Sequence, residues 1–132
     1  MLFKDKIRPL KKQIGNFGQQ VAADFLLGRG YKILAQNFFT PQGEIDLILE
    51  KDGQLVFVEV KTRLSDKFGL PEEAVDNKKR EKMHQAGLKY LEEKQIKSDN
   101  FRFDIVAVEI DKDKKNAKIR HHKGMALCQR VW

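Results

Sequence analysis

Cysteine is almost absent from this sequence, and long apolar runs are absent altogether. The single cysteine, Cys128, excludes an internal disulfide framework and any zinc site built from several cysteines. No apolar run approaches the length of about 20 residues that a membrane-spanning helix needs. The first six residues also lack the apolar core of a signal peptide, and there are no internal repeats, low-complexity segments or linkers. These absences predict one cytoplasmic domain spanning residues 1–132, with no membrane partner.

Positive charge is in surplus. Lys and Arg number 26 against 19 Asp and Glu, which gives a net charge of +7. A surplus of this kind favours a polyanionic partner such as nucleic acid, although solubility alone accounts for part of it. Residues 1–12 form a basic arm, which suits either a DNA clamp or a loose tail, and residues 123–132 form a C-terminal tail.

Two segments of strict apolar–polar alternation, 43–50 and 55–61, predict neighbouring β-strands. Asp52-Gly53 between them is a strong signal for a two-residue hairpin turn. If these two residues form the turn, Leu49 faces Val56 and Leu47 faces Val58. Ile45 then faces Val60 on the same apolar side, so the register is self-consistent.

The same register places two acids opposite each other, Asp46 and Glu59, and sets Glu44 opposite Lys61. Directly opposed side chains have Cβ atoms about 5 Å apart, where like charges repel. A hard divalent cation would make the pairing favourable, because such cations take oxygen ligands. Two acids and a lysine around a metal suit phosphodiester hydrolysis. The alternative is an acid-rich strand face that is simply solvated.

These motifs resemble the PD-(D/E)XK nuclease superfamily, in which an acid on one strand precedes Glu-x-Lys on the next. They are similar in particular to the bacterial YraN-type family, itself similar to archaeal Holliday-junction resolvases. The resemblance is carried by Gly43-Glu44-Ile45-Asp46-Leu47-Ile48, Val56-Phe57-Val58-Glu59-Val60-Lys61-Thr62-Arg63, Gly15-Asn16-Phe17-Gly18, Gly30-Tyr31-Lys32-Ile33-Leu34, Asn37 and Arg102-Phe103-Asp104-Ile105-Val106. It covers roughly residues 15–110, and the ordered set is specific.

The resemblance implies an α/β fold with a restriction-endonuclease-like αβββαβ core, a mixed sheet flanked by helices. It also implies that Asp46, Glu59 and the Val60 carbonyl hold Mg²⁺ or Mn²⁺, and that Lys61 orients the attacking water. The family usually carries a Glu on its first helix, at the position where this chain has Gln19. Gln19 offers a metal a carbonyl oxygen but no charge, which predicts weak metal binding.

Periodicity and turn residues give the rest of the layout. A first helix is expected from Pro9 or Lys12 to Leu27, and Asp76 is a plausible N-cap for a second helix that ends near Lys94. The predicted strands outside the hairpin span Tyr31–Phe38, Phe101–Ile110 and Ala117–His122.

Several cations are candidates for contact with nucleic-acid phosphates. Lys78, Lys79 and Lys82 open the second helix, and Arg63 follows the strand that carries Glu59 and Lys61. The alternative for the helix residues is a solvated basic face.

Asp104 lies in an otherwise apolar strand and could approach the acids. An ion pair with a neighbouring Arg or Lys is the expectation we prefer, because a buried charge needs a partner. His121 and His122 point to opposite faces of a strand, so they cannot easily share a metal, and we expect both at the surface.

Two functions remain open on the sequence. One is a Mg²⁺- or Mn²⁺-dependent endonuclease acting on DNA, with branched DNA as a candidate substrate and a homodimer as a candidate assembly. The other is a nucleic-acid-binding module that keeps the nuclease fold without efficient cleavage.

Overall fold

The computed structural model describes residues 3–64, 76–111 and 116–124, with side chains described from residue 12 onward. Two helices and five strands follow one another along the chain. They are α1 Phe3–Gly28, β1 Lys32–Thr40, β2 Gly43–Lys51, β3 Gln54–Leu64, α2 Asn77–Glu93, β4 Phe101–Asp111 and β5 Asn116–His122.

The five strands form one mixed sheet with the spatial order β1-β2-β3-β4-β5. The β3–β4 pair is parallel and the other three pairs are antiparallel. A parallel pair needs a crossover connection, and α2 supplies it. Helix α1 covers one face of the sheet and α2 the other, so two apolar clusters sandwich the strands. The predicted α/β fold with a restriction-endonuclease-like core is confirmed.

The β2–β3 hairpin has the predicted register. Leu47 pairs with Val58 and Leu49 with Val56, and the turn lies at Asp52-Gly53. Both turn residues have positive φ, 52° and 80°, as a type I′ turn requires.

Ile45 departs from the prediction. It was expected beside Leu47, but it packs with Ile48 and Phe57 in the cluster under α2. The alternation breaks at Asp46, because main-chain pairing between β2 and β3 stops at Leu47. On the neighbouring strand β1, Asn37 lies between the residues that pair with Leu47 and Ile45, and it adopts a left-handed φ of 53°.

The sequence predicted the start of α2 correctly but not the start of α1. Helix α1 begins at Phe3 and not at Pro9 or Lys12. The backbone of the expected N-terminal arm is therefore part of the helix. Helix α2 has the predicted N-cap: the Asp76 Oδ1 accepts a hydrogen bond from the Lys79 backbone N–H at 2.9 Å. Within the described ranges, neither helix is long and apolar enough to cross a membrane.

Helix α1 approaches β3 closely at Gly18. A Cβ placed on Gly18 would lie 1.8 Å from Thr62 Oγ1 and 2.6 Å from Thr62 Cβ, so only glycine fits without a shift of the helix. The contact lies next to Gln19 on the helix and next to Lys61 on the strand. The spacing of α1 from the sheet is therefore set beside the predicted site.

We expect Gly18→Ala to lower the free energy of unfolding by about 1–3 kcal/mol, because the added methyl overpacks the helix–strand contact. Gly15→Ala is the matched control in the same helix. A Cβ at Gly15 meets nothing within 4 Å, so that variant should gain about 0.5–1 kcal/mol from helix propensity. Urea unfolding measures both, and equal effects of the two substitutions would contradict the close contact.

Candidate active site at the end of the β2–β3 ladder

The two motif strands remain joined beyond the end of their main-chain ladder by a side chain. Asp46 Oδ2 accepts a hydrogen bond from the Val60 backbone N–H at 2.7 Å. The carboxylate thus takes the place of a main-chain carbonyl at the position where β2 and β3 begin to separate. This bond fixes the Asp46 side chain between the strands and satisfies a backbone donor.

The predicted acids and lysine come together at this position. The side chains of Asp46 and Glu59 are close enough to share a hydrogen bond, and Lys61 Nζ lies 3.5 Å from Glu59 Oε2. The Glu59 and Lys61 side chains are about one-fifth exposed, at 19% and 21%. The arrangement is therefore sheltered but open to a small ligand.

Both acids are easier to protonate than ordinary carboxyl groups. Burial raises the pKa of Asp46, and this outweighs the lowering effect of the Val60 hydrogen bond. Burial together with the charge of Asp46 raises the pKa of Glu59 to about 7. Lys61 lowers both values but does not offset these effects. The charged forms of both acids are therefore disfavoured, and additional positive charge nearby would stabilise them.

A second lysine reaches the site from α2. Burial lowers the pKa of Lys61, but a hydrogen bond to Lys79 and the charges of the two acids outweigh it, so the pKa of Lys61 is raised. The same hydrogen bond and the positive charge of Lys61 lower the pKa of Lys79. Lys79 thus contacts the predicted site itself, a closer position than the phosphate contact expected from the sequence. No sequence signal predicts this contact, because it depends on where α2 packs against the sheet.

Two cavities flank the site. One, of about 740 Å³, lies beside α1 and is lined by Asp46, Val60, Lys61 and Arg63 among others. A smaller cavity of about 210 Å³ lies beside α2, and its lining includes Glu59, Lys61, Lys79 and Lys82. Lys61 lines both cavities. Lys78, the remaining predicted phosphate contact, is exposed and lines neither.

Gln19 stands beside Asp46, as its place in the motif predicts. Its side-chain amide N–H groups point at the Asp46 backbone carbonyl, at 3.5 Å, and at Gln36 Oε1, at 3.4 Å. It contributes no charge to the acid pair. Within residues 3–64, 76–111 and 116–124, no group of three or more His, Cys, Asp or Glu side chains could hold a metal ion.

Asp104 does not join this site. It is fully buried nearer the start of β4, where Arg102 Nε donates to it at 3.0 Å, as the expected ion pair requires. The expectation for His121 was wrong. Its Nε2 lies 2.7 Å from Asp104 Oδ2 and its side chain is only 7% exposed, because the buried carboxylate needs a second partner.

A mixed sheet between two helices, with Asp and Glu-x-Lys at the end of one hairpin ladder, defines a nuclease-like protein of the PD-(D/E)XK class. The chain matches the profile of "Uncharacterised protein family UPF0102" over residues 18–108. It therefore belongs to the UPF0102 family, which includes YraN.

Relatives support the same assignment over most of the chain. A UPF0102 protein of Syntrophomonas wolfei is 42% identical over 112 residues, covering 85% of this chain and 96% of the relative. One from Caldanaerobacter subterraneus is 46% identical over 104 residues, covering 79% and 85%. One from Syntrophus aciditrophicus is 47% identical over 96 residues, covering 73% and 76%.

The raised pKa of Glu59 predicts a stability that falls with pH. The folded protein holds a proton on Glu59 up to about pH 7, whereas the unfolded chain releases it near pH 4.5. The folded state binds more protons between these values, so the free energy of unfolding should fall across that window, by on the order of 2 kcal/mol. Glu59→Gln should remove most of this fall.

Urea unfolding at pH 5 and pH 8 in a chelator, without divalent cations, measures the effect. Glu93→Gln is the control, because Glu93 is exposed at the end of α2. Identical pH dependence in wild type and Glu59→Gln would show that Glu59 is not held at high pKa.

Proposed function

We propose that this protein is a Mg²⁺- or Mn²⁺-dependent endonuclease that hydrolyses DNA phosphodiesters, with branched DNA as the candidate substrate. The observation that carries the proposal is the cluster of Asp46, Glu59 and Lys61 where the β2–β3 ladder ends. Two half-buried acids in contact, with a lysine 3.5 Å from one of them, form an arrangement that is costly without a ligand. Membership of the UPF0102 family agrees with the proposal, but the family description names no activity, so the proposal rests on the site itself.

The donor set suits a divalent cation. The carboxylates of Asp46 and Glu59 are hard oxygen ligands, and their elevated pKa values reflect a deficit of positive charge. With the Val60 carbonyl they would hold the ion, and Gln19 could add only a neutral oxygen. When bound, such a cation neutralises phosphate charge and makes a coordinated water more acidic.

Lys61 is suited to acting as a cation. Its raised pKa keeps it protonated at neutral pH, so it would stabilise negative charge that develops on the phosphate or orient a water molecule by donating hydrogen bonds. This role differs from that of a base, which would need a lowered pKa. The position of Lys61 between the two cavities supports a contact with the scissile group.

The surrounding cations would hold the nucleic-acid backbone. Arg63 lines the larger cavity, and Lys79 and Lys82 line the smaller one. Lys78 would contribute only to the general field, because it is exposed and outside both cavities. Such contacts release counterions, so affinity should decrease steeply with salt concentration.

The second candidate is a nucleic-acid-binding module without efficient cleavage. The neutral Gln19 beside Asp46 favours it, because the site then has two acidic side chains and no third charge. In either case we place the protein in the cytoplasm. A homodimer would match the two-fold symmetry of a four-way junction.

We expect Lys61→Ala to retain DNA affinity while cleavage falls by about 100-fold or more, because a positioned charge-stabilising group is lost. Lys78→Ala removes the same charge from an exposed position and should cleave normally. Both variants and wild type are assayed with Mn²⁺ on linear, single-stranded and four-way-junction DNA, with affinity measured in the same preparations.

Equal cleavage by wild type and Lys61→Ala would assign the activity to a contaminant or to another site. If wild type binds DNA but cleaves no form of it, the non-catalytic module is the better description.

We expect Gln19→Glu to tighten Mn²⁺ binding by about tenfold, because a third carboxylate would stand beside Asp46. Gln13→Glu makes the same charge change on an exposed position of α1 and should leave affinity near the wild-type value. Isothermal titration calorimetry measures both, with Asp46→Asn as the variant expected to lose binding. Equal affinities for the two Glu variants would remove Gln19 from the metal site.

A further inference from the structure

A further polar cavity lies at the opposite end of β3 from the acid pair. It has a volume of about 340 Å³ and lies where the β2–β3 turn meets the start of β4. We call it the far-end cavity. Three cations line it, Lys51, Arg102 and Lys123, together with one acid, Asp52. Amide and hydroxyl groups of Gln54, Asn100 and Tyr31 complete the lining.

The guanidinium of Arg102 is held rigidly at the wall of this cavity. Its Nε donates to both oxygens of Asp104, at 3.0 and 3.2 Å, and its Nη2 donates to the Tyr31 hydroxyl at 2.7 Å. Its Nη1 donates to Gln54 Oε1. A guanidinium has five N–H groups. Within the described residues these bonds use one N–H on each nitrogen, which leaves one on each Nη for a further acceptor.

Asp104 acts as the anchor for that geometry. It is fully buried, and besides Arg102 it receives the Gly124 backbone N–H at 2.9 Å and lies 2.7 Å from His121 Nε2. Burial raises the pKa of Asp104, but hydrogen bonds from His121, Arg102 and the Gly124 N–H outweigh it, so the pKa is lowered. These contacts, two from Arg102 Nε and one each from His121 and Gly124, fix the orientation of the carboxylate. Arg102 is consequently preorganised, which lowers the entropy cost of binding a ligand.

A structural ion pair accounts for Arg102 but not for the lysines beside it. Lys51 Nζ lies 4.9 Å from the centroid of the Tyr31 ring, and Arg102 Cζ lies 5.9 Å from the same centroid. Two cations therefore share one aromatic ring, and Lys123 lines the same cavity. Asp52 is the acid in this lining, so the three cations are in excess, and an anion that enters would reduce their mutual repulsion.

The turn next to the cavity is also fixed. Asn100 Nδ2 donates to the Gly53 carbonyl at 3.2 Å, and the Leu55 backbone N–H donates to the Asn100 carbonyl at 3.1 Å. The β2–β3 turn is thereby tied to the start of β4. The lining residues come from both segments, so the cavity keeps its shape without a ligand.

From this geometry we infer that the far-end cavity is a phosphate-binding site, in which the free N–H groups of Arg102 and the amines of Lys51 and Lys123 hold one phosphate group. An arginine fork matches phosphate oxygens, and the lysines add charge. The source of the phosphate is the backbone of a nucleic acid that also contacts the acid pair. That choice of source rests on the proposed function, whereas the phosphate site itself does not.

The spacing suits a nucleic acid that also reaches the acid pair. Gln54 at the cavity and Lys61 at the acid pair lie on the same strand, so they are separated by roughly 23 Å at the usual rise of a β-strand. That distance corresponds to about seven base pairs of B-DNA at ~3.4 Å each. The far-end cavity would therefore hold a phosphate on the same duplex, away from the bond that is cleaved.

The test uses the full chain in a chelator, so that no cleavage occurs. The variant Lys51→Gln/Lys123→Gln leaves the anchored pair of Arg102 and Asp104 intact and should fold normally. The control, Lys94→Gln/Lys118→Gln, removes the same charge at two exposed positions that do not line this cavity. Thermal unfolding verifies that both variants are folded.

The first arm measures DNA affinity by fluorescence anisotropy across a range of salt concentrations. Losing one phosphate contact should reduce the slope of log affinity against log salt by about one unit in the cavity variant. The control should keep a slope nearer that of wild type. The second arm titrates inorganic phosphate at constant ionic strength and follows ¹⁵N resonances, including Arg102 Nε. Wild type should show shifts around the cavity, and the cavity variant should not.

Both effects together support the proposal. Phosphate-induced shifts without a change in the DNA slope would keep the phosphate site and overturn its assignment to nucleic acid. Absence of phosphate shifts, with equal slopes in the two variants, would overturn the site itself. Cleavage by wild type in Mn²⁺ is scored separately, so failure of the nuclease proposal cannot be mistaken for failure of this one.

Discussion

The hydrogen bond between the Val60 N–H and the Asp46 carboxylate governs the candidate site. It allows β2 and β3 to separate after Leu47 and Val58 without leaving a partly buried backbone donor unpaired. It also holds one carboxylate against the second acid, Glu59. A polar side chain that continues a ladder in this way cannot be replaced by an apolar one without losing both the backbone partner and the acid pair.

Among the residues that the structure describes, the charged forms of Asp46 and Glu59 are disfavoured. Elsewhere the buried charge of Asp104 is matched by Arg102, a backbone N–H and His121, so its pKa is lowered. At Asp46 and Glu59 the pKa values move upward. Asp104 thus has enough hydrogen-bond donors and positive charge to offset its burial, whereas Asp46 and Glu59 do not. Under-compensation of this kind is typical of sites that bind cations or carry out proton transfer.

Local patterns predicted the hairpin well. Asp52-Gly53 specifies a tight turn, and two-residue periodicity then fixes Leu47 against Val58 because a slip of one residue would expose the apolar face. The fold class followed from the resemblance and from the order of the elements. The N-cap at Asp76 was likewise visible, because its side chain acts on the next few residues only.

The wrong predictions, and the contact that was not predicted, depend on residues far apart in the sequence. Ile45 changed faces because the β2–β3 ladder stops at Leu47, which depends on the pairing of three strands. His121 was drawn inward by Asp104, and Lys79 met Lys61 through the placement of a whole helix. A short sequence window contains none of these distances. The early start of α1 was missed because the basic residues before Pro9 suggested a tail.

The parallel pairing of β3 with β4 has a consequence for the order in which the site assembles. Contacts within the β2–β3 hairpin join residues close in sequence, and such contacts form in microseconds in isolated hairpins. Pairing of β3 with β4 must wait for the α2 crossover, since closing a longer loop costs more chain entropy. Asp46 and Glu59 would then meet early in folding, while Lys79 arrives with the helix. A nascent hairpin would hold the two facing acids beside Lys61 but without Lys79, so further positive charge from the solution would favour the folded hairpin before the helix has docked.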